Sequence, residues 1–223
     1  MTLGSDVQKL EMFQALHQSL QNEDVCCALP EQHFRAMLDL MFKCFAAEKA
    51  RQEGEAKEDV TRESKETLAC LQKTISLLLN SKDYTTCLVS LLQIVRNSLP
   101  DDFSAQLKED RAQVLKAVTR TLQKLLKFLE GESDGAIRSF DVLLEMQRLF
   151  VRHPPEKLRQ DLPSLSDFDG VYRVLKQVSD KLIQMQPEKA IAFVKFQSKT
   201  AGAGSPSAFL KYLFAMLGLN PPP

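Results

Sequence analysis

Residues 108–130 read KEDRAQVLKAVTRTLQKLLKFLE, and the spacing within this stretch decides the fold class. Its apolar positions Val114, Leu115, Val118, Leu122, Leu125, Leu126 and Leu129 recur at steps of three and four. That spacing puts them on one stripe of a 3.6-residue helix. Gly131 stands where a left-handed C-cap residue belongs, and Lys124 and Lys127 fall in the last turn, where cations complement the helix dipole. An amphipathic helix cannot bury its stripe alone, so the segments on both sides must cover it.

Those segments carry the same period. Ser5 can cap a first helix to about Gln21, with Val7, Leu10, Phe13, Leu16 and Leu20 inward. Asn22 to Leu29 reads as a connector, and Pro30 suits the first turn of the next helix. There Phe34, Met37, Leu38, Met41, Phe42 and Phe45 form a stripe suited to deep packing. Glu48 to Glu66 is almost entirely charged and small, and reads as a solvated connector, part helix and part loop. Leu68 to Leu79 and Tyr84 to Val95 are two further helices, with Asp83 as a cap between them. The short break at Ser81–Asp83 implies an antiparallel hairpin.

Beyond the central helix, Ile137 to Phe150 is helical until Pro154 and Pro155 stop it. Ser166 and Asp169 resemble a capping box ahead of Val171 to Leu182, and Pro187 opens a helix with Ile191, Val194 and Phe196. Ser198 to Pro206 is small and flexible in composition. A final apolar helix follows, ended by Gly218 and prolines. No segment alternates with period two.

The expected fold is therefore all-α, with about 8–9 helices. Helix pairs at roughly 5–52, 61–98, 108–153 and 166–197 approach the ~40–47-residue period of HEAT-type repeats, so a HEAT-like α-solenoid of antiparallel hairpins is expected, with an irregular helical bundle as the alternative. The organisation would be a solenoid over residues 1–197 with a charged connector at 48–66, a flexible linker at 198–206 and a terminal apolar helix at 207–218.

Lys plus Arg is 29 and Asp plus Glu is 29, so no basic excess points to nucleic acid or to an anionic membrane surface. Balanced totals do not preclude a local patch. No stretch approaches the ~20 apolar residues of a membrane span, and no signal peptide is visible. The five cysteines, Cys26, Cys27, Cys44, Cys70 and Cys87, read as free thiols of a reducing compartment, so a cytosolic protein is expected.

No catalytic constellation emerges. His17, His33 and His153 are widely spaced, with no H-E-x-x-H and no Cys-x-x-Cys, so no metal site or cofactor is expected. Cys26-Cys27 reads as a chance neighbour pair. Gly202-Ala203-Gly204 lacks the Lys-Ser/Thr of a phosphate loop, Asp167-Phe168-Asp169-Gly170 reads as a helix start, and Asp101-Asp102 as a turn.

Several stretches resemble, in order, segments of a known family. They are Val142-Leu143-Leu144-Glu145-Met146 followed by Pro154-Pro155-Glu156-Lys157-Leu158-Arg159, the hairpin from Lys65 to Leu92, Val174 to Leu182, and Phe209-Leu210, Phe214 and Gly218. Together they resemble the C-terminal region, after the TOG array, of the TOG-domain microtubule polymerases (ch-TOG, Mini spindles and plant relatives). The resemblance implies a non-enzymatic protein-interaction module. It would help target a polymerase to spindles, centrosomes or plus ends through partners such as TACC-type coiled coils. The family's tubulin grip uses a Trp, and this chain has none, so weak or no binding of tubulin dimers is expected. The residues alone support equally a helical scaffold or adaptor unrelated to microtubules.

The terminal helix is too apolar for a free end. It either caps the solenoid or docks on another chain, and in the second case Phe209, Leu210, Leu213, Phe214 and Leu217 are the partner-binding residues.

Overall fold

A computed structural model describes residues 5–55, 59–99, 109–129, 137–154, 168–200 and 206–220. Among them there is no strand, and the chain is all-α as expected. The helices are α1 (Asp6–Leu20), α2 (Glu23–Ala28), α3 (Glu31–Gly54), α4 (Arg62–Asn80), α5 (Tyr84–Ser98), α6 (Glu109–Phe128), α7 (Ser139–Arg152), α8 (Phe168–Met185), α9 (Pro187–Thr200) and α10 (Ala208–Met216).

Local chemistry fixes many of their ends. The Ser5 hydroxyl accepts from the Gln8 amide while the Gln8 side chain accepts from the Ser5 amide, a reciprocal cap that satisfies two orphan donors. Thr61, Asp83 and Ser207 cap α4, α5 and α10 with a side-chain oxygen alone, accepting from the amides of Ser64, Thr86 and Leu210. Pro30 sits at the cap position itself rather than inside the first turn. Gly218, at φ 65°, ends α10: Leu219 N–H bonds Phe214 O at 2.9 Å and Gly218 N–H bonds Ala215 O at 3.3 Å. That reversal needs the left-handed region, which glycine enters without a Cβ clash. Gly131, the Ser166–Asp169 cap, Asp101-Asp102, Gly202 to Gly204 and residues 155–159 lie outside the described residues.

The predicted stripe of α6 is buried at Val114, Leu115, Val118, Leu122 and Leu129, whereas Leu125 and Leu126 are half-buried. α6 is central: it packs on α3, α5 and α8. α4 packs on α1 and α3, and α5 packs on α6 and α7. So α4 and α5, joined by three residues, are not hairpin partners. From α5 onward alternate helices stack, α5 on α7 on α9 and α6 on α8. Before α5 that alternation is absent, because α3 lies directly on α6.

Three further expectations need correction. Asn22 to Leu29 is not a plain connector: it holds α2, whose last carbonyls, Cys27 O and Leu29 O, accept from Lys82 Nζ at 2.7 and 2.8 Å. The charged stretch 48–66 is part helix as expected, since α3 runs to Gly54 and α4 starts at Arg62, but it is not simply solvated, because Glu48 and Ser64 are buried. Its charges satisfy one another. Arg51 Nη2 donates to Glu48 Oε1 at 2.6 Å, and both Arg51 amino groups donate to Asp6 Oδ2 at 3.1 Å. Thr61 Oγ1 donates to the same Asp6 oxygen, and the Ser64 hydroxyl donates to Glu48. Glu48 is buried, and this cluster ties α1, α3 and α4 together. Val7, placed inward by period, is 49% exposed.

Candidate functional site: a cationic groove between two helices

α4 and α6 both pack on α3 and make no comparable contact with each other. The gap between them is a groove of about 1290 Å³. Its floor is Phe42, Phe45 and Lys49 of α3; α1 closes it with His17 and Gln21, and α8 with Gln177 and Lys181. The α4 wall presents Ala69, Gln72, Lys73, Ser76, Leu77 and Asn80, one face at steps of three and four. The α6 wall presents Lys116, Arg120, Lys124 and Lys127 among Gln113, Ala117, Thr121, Gln123 and Leu126.

Among the described residues, seven that line the groove are Lys or Arg, and none is Asp or Glu. Lys49 pairs with Glu53, 3.6 Å away, and Gln113 Nε2 donates to that same carboxylate at 2.8 Å. Among the described residues, Lys73, Arg120, Lys124, Lys127 and Lys181 form no ion pair. Like charges gathered in a concavity with low-dielectric walls focus a positive potential, so the groove attracts anions although the chain is neutral overall. At the α1 end, the Thr74 hydroxyl donates to Cys70 O at 2.9 Å and so accepts from His17 Nδ1 at 3.1 Å. That leaves His17 Nε2 as the acceptor for Gln21, at 3.4 Å.

A second, smaller concavity of about 190 Å³ lies between α3, α5 and α7. Its charges cancel: Arg35 pairs with Glu31 at 2.9 Å, Arg138 with Asp141 at 3.0 Å, and Arg148 with Glu145 at 3.4 Å. It therefore carries no net charge to draw a ligand of either sign.

The terminal-helix residues do not face solvent. Phe209, Leu210, Leu213 and Phe214 are buried and Leu217 is half-buried, because α10 lies on α7 and α9. Phe209 stacks on Phe150 with centroids 5.2 Å apart, and the Tyr212 hydroxyl donates to Asp180 of α8. A partner would reach these side chains only by displacing the helix.

The cysteines are all free, with Cys26 buried and Cys27 exposed on α2. Burial, with the Asp83 charge nearby, pushes the Cys87 thiol up to about 12, so it stays protonated at neutral pH and hydrogen-bonds Leu79 O. Among the described residues no group of His, Cys, Asp or Glu is placed to hold a metal ion, and no helix is long and apolar enough to cross a membrane.

Sequence reading missed the groove. The signal was present as Lys116, Arg120 and Lys124 at four-residue steps, but such a row marks the solvated face of almost any amphipathic helix. What distinguishes it is the convergence of Lys49, Lys73 and Lys181 from three other helices. No protein-family model matches the chain, and no curated protein and no solved structure matches it either.

Proposed function

We propose that this protein is a non-enzymatic protein-interaction module that docks a negatively charged partner in the groove between α4 and α6. The observation that supports this is the lining itself: seven cations, no carboxylate, and five of the cations without an ion pair among the described residues. Interfaces built this way take their on-rate from electrostatic steering and lose it as salt rises. The order of motifs shared with the microtubule-polymerase C-terminal region supports a narrower reading. In it the partner belongs to a spindle, centrosome or plus-end assembly, with a TACC-type coiled coil as the first candidate. The absence of Trp leaves the family's tubulin grip without its anchor, so tubulin dimers are not expected to co-elute with the chain.

The test is capture of the full chain on immobilised poly-glutamate. Retention at low salt, release as salt rises, and loss in the double variant Arg120→Glu, Lys124→Glu are expected. Both positions are exposed, so the variant should keep its melting temperature. Salt-independent retention, or retention by the variant equal to the parent's, would refute the docking reading. The TACC reading requires that such a coiled coil be captured in the same assay and lost with the same variant.

A further inference from the structure

We infer that the groove's occupant is an acidic amphipathic helix of a partner protein, a conclusion that rests on the docking reading above. α3 carries α4 and α6 side by side with a gap between them, instead of packed together. A helix laid between them would complete the layer, packing on both walls and on the floor at the ~8–10 Å interaxial spacing of packed helices. At about 1290 Å³ the groove exceeds the ~300–1,000 Å³ usual for small-molecule sites, which favours a stretch of polymer.

The lining selects which polymer. Half-buried Phe45, Leu77 and Leu126 and exposed Ala69 give the groove an apolar strip for one helix face. Six of the cations stand on the two walls and at the α8 end, where the flanks of that helix would lie, and Lys49 of the floor is paired with Glu53. Helix-in-groove recognition uses this division of labour, with anchors at i, i+3/i+4 and i+7 and charges at the edges.

Nucleic acid fits less well. Of the seven cations only Arg120 is an arginine, the residue whose planar fork suits phosphate best, and no Trp or Tyr lines the groove. Of the two phenylalanines there, Phe42 is buried and Phe45 half-buried in the α3 floor, so the groove offers one partly exposed ring rather than the row of aromatic faces on which successive bases stack. Lysines on flexible stems match carboxylates dispersed along a helix.

The experiment titrates the full chain against three fluorescent probes. The first is a synthetic peptide of about fifteen residues, ~22 Å long as a helix, with leucines at helical spacing and glutamates elsewhere. The second is a peptide of the same composition with the leucines moved off that period, and the third is a single-stranded oligonucleotide. The first probe should bind about tenfold or more tighter than the second, and should gain helical circular dichroism on binding. Lys73→Glu on one wall and Lys124→Glu on the other should each weaken it about tenfold, because the helix touches both. Equal binding of the two peptides would overturn the helix inference and leave the docking reading standing. Tighter binding of the oligonucleotide would overturn it in favour of nucleic acid. A chain that self-associates on a sizing column, and loses this with Lys124→Glu, would overturn it in favour of a second copy. Failure of both peptides at low salt would refute the docking reading itself.

Discussion

Arg96 Nη1 on α5 lies 2.9 Å from Glu145 Oε1 on α7, and the Glu145 side chain is only 1% exposed. Arg148 and Gln93 reach the other carboxylate oxygen, each at 3.4 Å. Arg96 also supplies its backbone carbonyl to His153 Nε2, 3.2 Å away, so one residue contacts α7 at Glu145 and the residue just past its end, His153. A buried carboxylate that loses its main counter-charge is costly to keep ionised. Arg96→Ala should therefore destabilise by roughly 3 kcal/mol, towards the lower end of what breaking such pairs costs, since Arg148 remains. Arg148→Ala, at a side chain 57% exposed, should cost less than about 1 kcal/mol. Urea midpoints of the two variants check the ordering, and equal shifts would contradict it.

Leu122 occupies the middle of the α6 stripe at 1% exposure, between Val118 and the half-buried Leu125 and Leu126. Leu122→Ala should cost about 2–5 kcal/mol through lost transfer energy and the cavity left behind. An unchanged urea midpoint would mean that α6 is not the centre of the core.

Asp83 caps α5: Oδ1 accepts the Thr86 amide at 3.0 Å and Oδ2 accepts the Thr86 hydroxyl at 2.8 Å. Partial burial alone would raise its pKa, but the hydrogen bonds from Thr86 and the nearby Arg138 charge outweigh it, and the pKa is lowered. A lowered folded value means the carboxylate's contribution is fully present above the ordinary carboxylate range and is lost as pH falls through the folded value. Asp83→Ala should cost about 1 kcal/mol at neutral pH, and Asp83→Asn less, because Asn caps nearly as well. Stability of the Asn variant should also fall less steeply with acid than that of the parent. Parallel acid titrations of the two would contradict this.

Tyr212 ties α10 to α8 through its hydrogen bond to Asp180. Burial raises the phenol's pKa first, and the hydrogen bond to Asp180 and that residue's negative charge raise it further. A raised value means the neutral phenol's contribution is present below the unfolded pKa of about 10 and is lost as pH climbs towards the folded value. Tyr212→Phe should cost about 1 kcal/mol at neutral pH and flatten the alkaline fall in stability. Melting curves at neutral pH and above about pH 10 test both halves of the statement.

The double change Phe209→Ser, Phe214→Ser removes two buried aromatic side chains from the α10 contact with α7 and α9. Melting temperature should fall sharply, as expected of a cap. An unchanged melting temperature would show that α10 contributes little to the fold and would reopen its use as a docking element.

What the sequence by itself determined is what depends on neighbours within a few residues. The stripe of α6, the caps at Ser5 and Asp83, the stop before Pro154 and the reversal at Gly218 all follow from helical spacing, one side-chain oxygen or one backbone restriction. Periodicity says which face of a helix is apolar, but not which helix will cover it. Val7 and Glu48 show this: α1, packed on α4, buries Leu10 and Phe13 and leaves Val7 out, while Arg51 and Ser64 bring enough donors to bury Glu48. The α4–α5 link reads as a hairpin because it is short, yet the two helices turn to different partners, α4 to α1 and α3 and α5 to α6 and α7. The groove was least legible of all. Lys116, Arg120 and Lys124 are an ordinary solvated face in sequence, and they become a site only because α3 holds α4 and α6 apart and α8 brings Lys181 to the same concavity. Charge is written residue by residue, but a field in a groove is a sum over helices, and only tertiary packing sets the distances in that sum.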